Sequence, residues 1–161
     1  MYYNSRTSHR LRGYDYSQGG TYFITICTYQ KTCILSKIGL EESTVLELTE
    51  LGRLTGDVMC ELAKKHHVKI PACVIMPNHI HFLMELDKTG GITVGRFVGA
   101  LKSITANRCF RQCDKMGIRA GKLWQRDYYD HIIRNEADYL EKWKYIEENP
   151  EKWILDELYG T

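Results

Sequence analysis

Apolar and polar positions alternate along some stretches of this chain and recur every three or four residues along others, which separates its strands from its helices. TYFITICTY (21–29) is rich in β-branched and aromatic residues, follows Gly19-Gly20, and predicts a first strand. From Thr44 to His67, the positions of Val45, Leu48, Leu51, Val58 and Leu62 predict one long amphipathic helix. VKIPACVIM (68–76) predicts a second strand with an irregular or edge start at Pro71, and Pro77-Asn78 predicts a bulge or tight turn before a third, HIHFLMEL. Thr93 predicts the cap of a second helix with Val94, Phe97, Val98, Leu101 and Ile104 on one side. GIRAGK (117–122) reads as a basic loop, and LWQRDYYDHII (123–133) as a further extended segment. Asn135 predicts the cap of a last helix, ended by Pro150, with Ala137, Leu140, Trp143 and, obliquely, Ile146 on its buried side.

The order strand, helix, strand, strand, helix, strand, helix predicts an α+β fold: a ferredoxin-like (RRM-like) split βαβ sandwich. In it an antiparallel sheet carries its helices on one face and leaves the other open for an active site. A chain of 161 residues suits one core, so residues 1–161 are expected to form a single domain. Within it, 1–20 would be a basic N-terminal arm and 136–149 the last helix.

The third strand carries the most pointed chemistry. Side chains alternate across a strand, so Ile80, Phe82, Met84 and Leu86 belong under the helices, whereas His79, His81, Leu83 and Glu85 face the other way. The α-carbons of the two histidines would lie roughly 6.5 to 7 Å apart. Two imidazoles that close can share a divalent cation as neutral ligands, but a metal of useful affinity asks for at least one more protein donor. On the last helix Tyr145 falls on the polar face, and Asn149 follows one turn later, so phenol and amide can face one point.

Composition narrows the setting. No apolar run approaches the eighteen or so residues that span a bilayer, and the N-terminus lacks the apolar core of a signal peptide, so a cytoplasmic location is expected. The six cysteines form no C-x-x-C pair, which argues for reduced thiols rather than a structural zinc site. The net charge of +2 hides a strong asymmetry. Residues 1–14 carry Arg6, Arg10 and Arg12 with no acid, interleaved with Tyr2, Tyr3 and Tyr14. Residues 96–126 carry eight bases against one acid, and residues 127–161 carry ten acids against four bases. Two basic stretches, one with aromatics between its charges, suit a nucleic-acid backbone. Lys102, Arg126, Arg134 and the N-terminal arginines are candidate phosphate contacts, and Tyr14, Tyr16, Trp124, Tyr128 and Tyr129 candidate stacking surfaces.

His79-Ile80-His81 preceded by VIMPN, and YIEENP at 145–150, resemble the single-tyrosine HUH transposases, in particular the insertion-sequence-200-like group that includes the REP-associated tyrosine transposases. RLRGYDYSQGGTYFITICT (10–28), VGALKS (98–103) and LWQRDYYDHIIRNEADY (123–139) extend the likeness over nearly the whole chain. The resemblance implies a nicking and strand-transfer enzyme acting on single-stranded DNA, often beside a hairpin. By that resemblance Tyr145 is the nucleophile that forms a 5′-phosphotyrosine, and His79, His81 and Asn149 are ligands of a divalent metal. Asn149 stands where many insertion-sequence relatives have Gln. Mg²⁺ or Mn²⁺ is the expected cofactor, with phosphate oxygen and water filling the remaining positions. A homodimer, including one that exchanges the last helix, is compatible with the resemblance, as is a monomer.

Two other readings remain open on the residues alone. An RRM-like nucleic-acid-binding module would use the open sheet without catalysis, and a metal-dependent phosphodiester hydrolase would use water in place of Tyr145.

Overall fold

The fold is that of a computed structural model, which describes residues 19–39, 45–87, 91–111, 122–156 and 158–159. Arg6, Arg10, Arg12, Tyr14 and Tyr16 lie outside the described residues, as does most of the loop at 117–122.

Gly20–Cys27 form β1, the inner strand on which the architecture is built. The other elements follow as β2 (Ser36–Gly39), β3 (Val45–Leu48), α1 (Glu50–His66), β4 (Cys73–Ile75), β5 (His79–Leu86), α2 (Val94–Arg111), β6 (Tyr129–Ile132) and α3 (Glu136–Glu148). The main sheet has the order β4-β5-β1-β6, every neighbour antiparallel, and β2 and β3 pair separately. The expected α+β sheet with α1 and α2 on one face is therefore present.

Strand alternation divides the apolar side chains into two clusters. Tyr22, Ile24 and Ile26 of β1 and Ile80, Phe82 and Met84 of β5 pack against Leu51, Val58 and Leu62 of α1 and Val94, Phe97 and Leu101 of α2. Each such side chain contributes about 1.5–3 kcal/mol by leaving water, which makes this layer the main stabilising core. The register Cys27↔His79, Thr25↔His81 and Phe23↔Leu83 puts the opposite side chains on the second face.

That face is not bare. Ile146 of α3 joins Phe23 and Leu83 there, with Ala72, Val74, Tyr139 and Trp143 around them. The inward side of α3 keeps Trp143 and Ile146 of the apolar stripe expected of it but not the rest: Ala137 and Leu140 face solvent, and Tyr139 and Asn149 turn towards the sheet in their place. Two amphipathic aromatics cover more sheet than Ala and Leu, and each keeps a polar partner, the Tyr139 hydroxyl on Glu85 and Trp143 Nε1 on Glu147.

The expected helix over 44–67 begins later, at Glu50. Thr49 caps it by accepting from Gly52 N–H at 3.1 Å, while Val45–Leu48 pair with Ser36–Gly39 as strands. Val45 and Leu48 sit three apart by coincidence with the helical period, and the cap decides the boundary. At the other end His67 takes a left-handed conformation, φ 53°, and its N–H returns to the carbonyls of Ala63 and Lys64. The expected caps at Thr93 and Asn135 are made, by hydroxyl and amide oxygens that accept from Arg96 N–H and Asp138 N–H.

Candidate functional site

His79 and His81 reach the second face because β5 alternates, and α3 together with the turn after it closes over them. His79 is fully buried and His81 is 3% exposed. Their rings stand 4.4 Å apart between centroids and are tilted by 64°. Each Nδ1 is occupied, His79 by Asn78 Oδ1 at 2.7 Å and His81 by the Thr25 hydroxyl at 2.8 Å. Each Nε2 is buried and makes no hydrogen bond among the described residues.

The neighbours of Asn78 settle the tautomer of His79. Asn78 Nδ2 donates to the carbonyls of Lys31 (3.2 Å) and Leu158 (2.8 Å), so its oxygen must be the atom facing His79. An amide oxygen only accepts. His79 therefore carries its proton on Nδ1 and presents a lone pair at Nε2. Burial lowers the His79 pKa to about 4, against the opposing pull of the Asp156 carboxylate and the Asn149 amide. Burial, and then His79 itself, pushes His81 well below the ordinary imidazole value. Both rings are neutral at physiological pH, the state in which imidazole binds a metal.

Three further groups complete the constellation. Tyr145 on α3 is 43% exposed, with its ring 5.2 Å from that of His81 and 5.8 Å from that of Phe23, edge-on to both. Phe23 stacks on His81 at 5.2 Å, so the three rings touch one another. Asn149 is 2% exposed; its Nδ2 donates to Asp156 Oδ2 at 3.0 Å, and its Oδ1 is buried without a hydrogen bond. Asp156 Oδ2 lies 3.9 Å from His79 Nε2, and one donor atom each from His79, His81 and Asp156 fall within 4.8 Å of one another. Two unbonded imidazole nitrogens and a carboxylate gathered in a buried place, with the unbonded amide oxygen of the residue hydrogen-bonded to that carboxylate, form a donor set suited to a divalent cation. The set opens onto a cleft of about 540 Å³ whose walls include Phe23, Thr25, Tyr129 and Tyr145.

Tyr145, His79, His81 and Asn149, widely separated in the sequence, are thus brought together within one chain. Other candidates fall elsewhere. Trp124, expected as a stacking surface, is 8% exposed and joins the main core, with Nε1 donating to Thr105 Oγ1. Its ring offers no face to a base, because an apolar indole with one satisfied N–H is more stable inside. Lys102, expected as a phosphate contact, directs its ammonium at the carbonyls of Gln125, Arg126 and Asp127 and so holds the segment leading into β6. Arg126 and Arg134 are exposed. Tyr129, 45% exposed, and the half-buried Tyr128, both candidate stacking surfaces, line the cleft. Glu85 stands apart from the donor set and accepts from Tyr139.

Sequence reasoning missed Asp156. It follows Asn149 by seven residues, but the helix ends between them, so no periodicity relates the two. Trp153, buried with its ring 5.8 Å from that of His79, anchors the turn that returns Asp156 to the site. Asn78 was legible only as a turn residue, and its role appears once its three hydrogen bonds are known.

Comparison with known proteins gives the chain a family and a shared fold. A family profile described as "Transposase IS200 like" matches residues 20–149, which hold β1 to α3 and all of the donor set except Asp156. An uncharacterized protein of Haemophilus influenzae is 31% identical over 175 residues, spanning 96% of this chain and 93% of its own. A REP-associated tyrosine transposase of Escherichia coli is 25% identical, over 86% of this chain and 72% of its own. Among solved structures, a REP-associated tyrosine transposase bound to a REP hairpin superposes with a TM-score of 0.66 at 23% identity, covering 91% of this chain and 74% of that one, which shows a shared fold. With most of its length matched by the family profile and its tyrosine set beside a buried histidine pair, the chain belongs to the IS200-like transposase family and is a tyrosine transposase of the HUH type.

Proposed function

We propose that this transposase is a metal-dependent single-stranded DNA endonuclease and strand transferase that cleaves beside a hairpin and holds one product strand on Tyr145. The observation that carries the reading is the 5.2 Å approach of the Tyr145 ring to His81, whose Nε2 makes no hydrogen bond. A rival hydrolase would use the phenol only to position substrate, with water as the nucleophile. A binding module would have no use for buried imidazoles with unbonded nitrogens.

In-line displacement needs a nucleophile opposite the leaving oxygen and positive charge near the non-bridging oxygens. A divalent ion, Mg²⁺ or Mn²⁺, held by His79, His81 and Asn149 would supply that charge and polarise the phosphate. Asn78 and Thr25 hold the two imidazoles in ligand orientation. Tyr145 on α3 stands in the wall of the cleft, beside His81. An unperturbed phenol is only about a thousandth ionised at neutral pH, so its proton must leave as attack begins. The Tyr145 oxygen forms a bond to phosphorus while the bond to the 3′-oxygen breaks. The products are a 5′-phosphotyrosine and a strand ending in a 3′-hydroxyl. Attack by a different 3′-hydroxyl reverses the step and releases Tyr145, so strands exchange without ATP.

Phosphate contacts are assigned to the exposed Arg126 and Arg134 and to Arg6, Arg10 and Arg12, with Tyr14 as a stacking partner. Because Tyr145 meets the histidines of its own chain, one chain suffices for cleavage in this reading, and homodimer formation is not required of it. The test is incubation of the protein with Mg²⁺ or Mn²⁺ and labelled single-stranded oligonucleotides that carry hairpins. A denaturant-resistant protein-DNA adduct is expected from the wild type and not from Tyr145→Phe. Cleavage without an adduct would establish the hydrolase reading, and binding without cleavage the module.

A further inference from the structure

We propose that Asp156, beyond the tyrosine helix, is the anionic ligand of the cation site and sets its preference for hard divalent ions. This rests on the reading that His79 and His81 hold a cation.

Charge balance is the first argument. His79, His81 and Asn149 are all neutral donors, and a dication moved from water into a buried place among neutral groups faces a large desolvation cost. The Asp156 side chain is only 3% exposed, and its carboxylate receives hydrogen bonds from Asn149 Nδ2 and from the Leu158 backbone N–H, both neutral. A buried anion and a buried cation site at one point offset each other's cost. Separately, each is unfavourable.

Geometry is the second. Asp156 Oδ1 is held by Leu158 N–H at 2.6 Å, which leaves Oδ2 as the oxygen nearest the histidines. Oδ2 accepts from Asn149 Nδ2 at 3.0 Å, and that hydrogen bond turns Asn149 Oδ1 away from Asp156, where it is buried and makes no hydrogen bond. A carboxylate oxygen retains a lone pair after accepting one such bond. Asp156 thus has two effects: it offers a donor itself and orients the donor of Asn149. Trp153 packed near His79 and the turn from Trp153 to Asp156, closed by Asp156 N–H on Trp153 O, hold the carboxylate in place.

Ligand chemistry gives the consequence. Two imidazoles and an amide suit zinc or nickel, whereas an added carboxylate favours manganese and magnesium. The test is calorimetric titration of Mn²⁺ and, separately, Zn²⁺ into full-length wild-type protein, Asp156→Asn and Asp156→Ser, without DNA. The serine variant removes the carboxylate without added bulk, and thermal unfolding of each apoprotein shows which variants are folded. Asp156→Asn and Asp156→Ser are each expected to weaken Mn²⁺ binding at least tenfold and to weaken Zn²⁺ binding less, so that the Mn²⁺/Zn²⁺ affinity ratio falls. Folded variants that bind Mn²⁺ as tightly as the wild type would overturn the role of Asp156 and leave the histidine site standing. Wild type that binds neither ion would overturn both.

Discussion

Asn78 connects turn, strand and tail at the point where the chemistry is prepared, which makes it the sharpest place to perturb. It is fully buried and its side chain makes three hydrogen bonds, to the carbonyls of Lys31 and Leu158 and to His79 Nδ1. Asn78→Ala removes all three. Lys31 is exposed and Leu158 half-buried, so water can reach their carbonyls, and the main cost falls on the fully buried His79. One orphaned buried donor costs about 1–3 kcal/mol, and the variant should lose about 2 kcal/mol in urea unfolding followed by tryptophan fluorescence. The second consequence concerns the tautomer. Without Asn78 Oδ1 the imidazole proton can move to Nε2, which removes the lone pair aimed at the site, and Mn²⁺ affinity should fall about 10–100-fold. Asn78→Asp separates the two effects. Its carboxylate still accepts from Nδ1 and keeps the tautomer, but it cannot donate to Lys31 or Leu158. The aspartate variant should therefore be destabilised like the alanine variant and yet bind Mn²⁺ more tightly than it. Equal Mn²⁺ affinity in wild type and Asn78→Ala would refute the tautomer argument outright.

Acid should weaken the metal-free protein early. His79 and His81 are held neutral when folded and take up protons when unfolded, so the stability they contribute is fully present above pH 6.5 and is lost as the pH falls from there towards 4. For His79 alone the interval from 6.5 to about 4 corresponds to ~3 kcal/mol, and a Tm that stayed level across that range would contradict the assigned burial. Gly52→Ala should cost about 3 kcal/mol or more in urea unfolding, because a β-carbon there would stand 2.0 Å from the Leu35 carbonyl oxygen. Trp124→Phe should lower stability by about 1–3 kcal/mol through the lost bond to Thr105 while leaving the affinity for single-stranded DNA unchanged, as measured by fluorescence anisotropy; weakened DNA binding in a folded variant would restore Trp124 as a contact.

Wherever a local rule had no competitor, pattern and structure agree. Period-two alternation placed Ile80, Phe82 and Met84 under the helices and the two histidines opposite, because a strand has only two faces. Caps at Thr93 and Asn135 were readable because each requires one side-chain oxygen at a fixed offset from a backbone N–H. Where two signals overlapped, the pattern misled. Val45 and Leu48 matched a helical spacing but belong to β3, and Ala137 and Leu140 matched a buried stripe of which only Trp143 and Ile146 turn inward, joined there by Tyr139. Residue type alone points Trp124 and Lys102 at DNA, but the indole is buried in the main core and the ammonium is taken up by backbone carbonyls at 125–127, and both partners are set by the whole fold.

The sequence by itself determined the order of the main-sheet strands and the three helices, the pairing of His79 with His81 on one face, and the one-turn relation of Tyr145 to Asn149, since each depends on neighbours within a few residues; the β2-β3 pair it did not give. Tertiary structure alone decided that α3 folds over the second face, that its tyrosine meets the histidines of the same chain, and that Asp156 returns past the end of the helix to join them. Those contacts join residues up to about eighty positions apart, and no local period encodes them: they arise from apolar surface on the sheet that α3 and Trp153 cover.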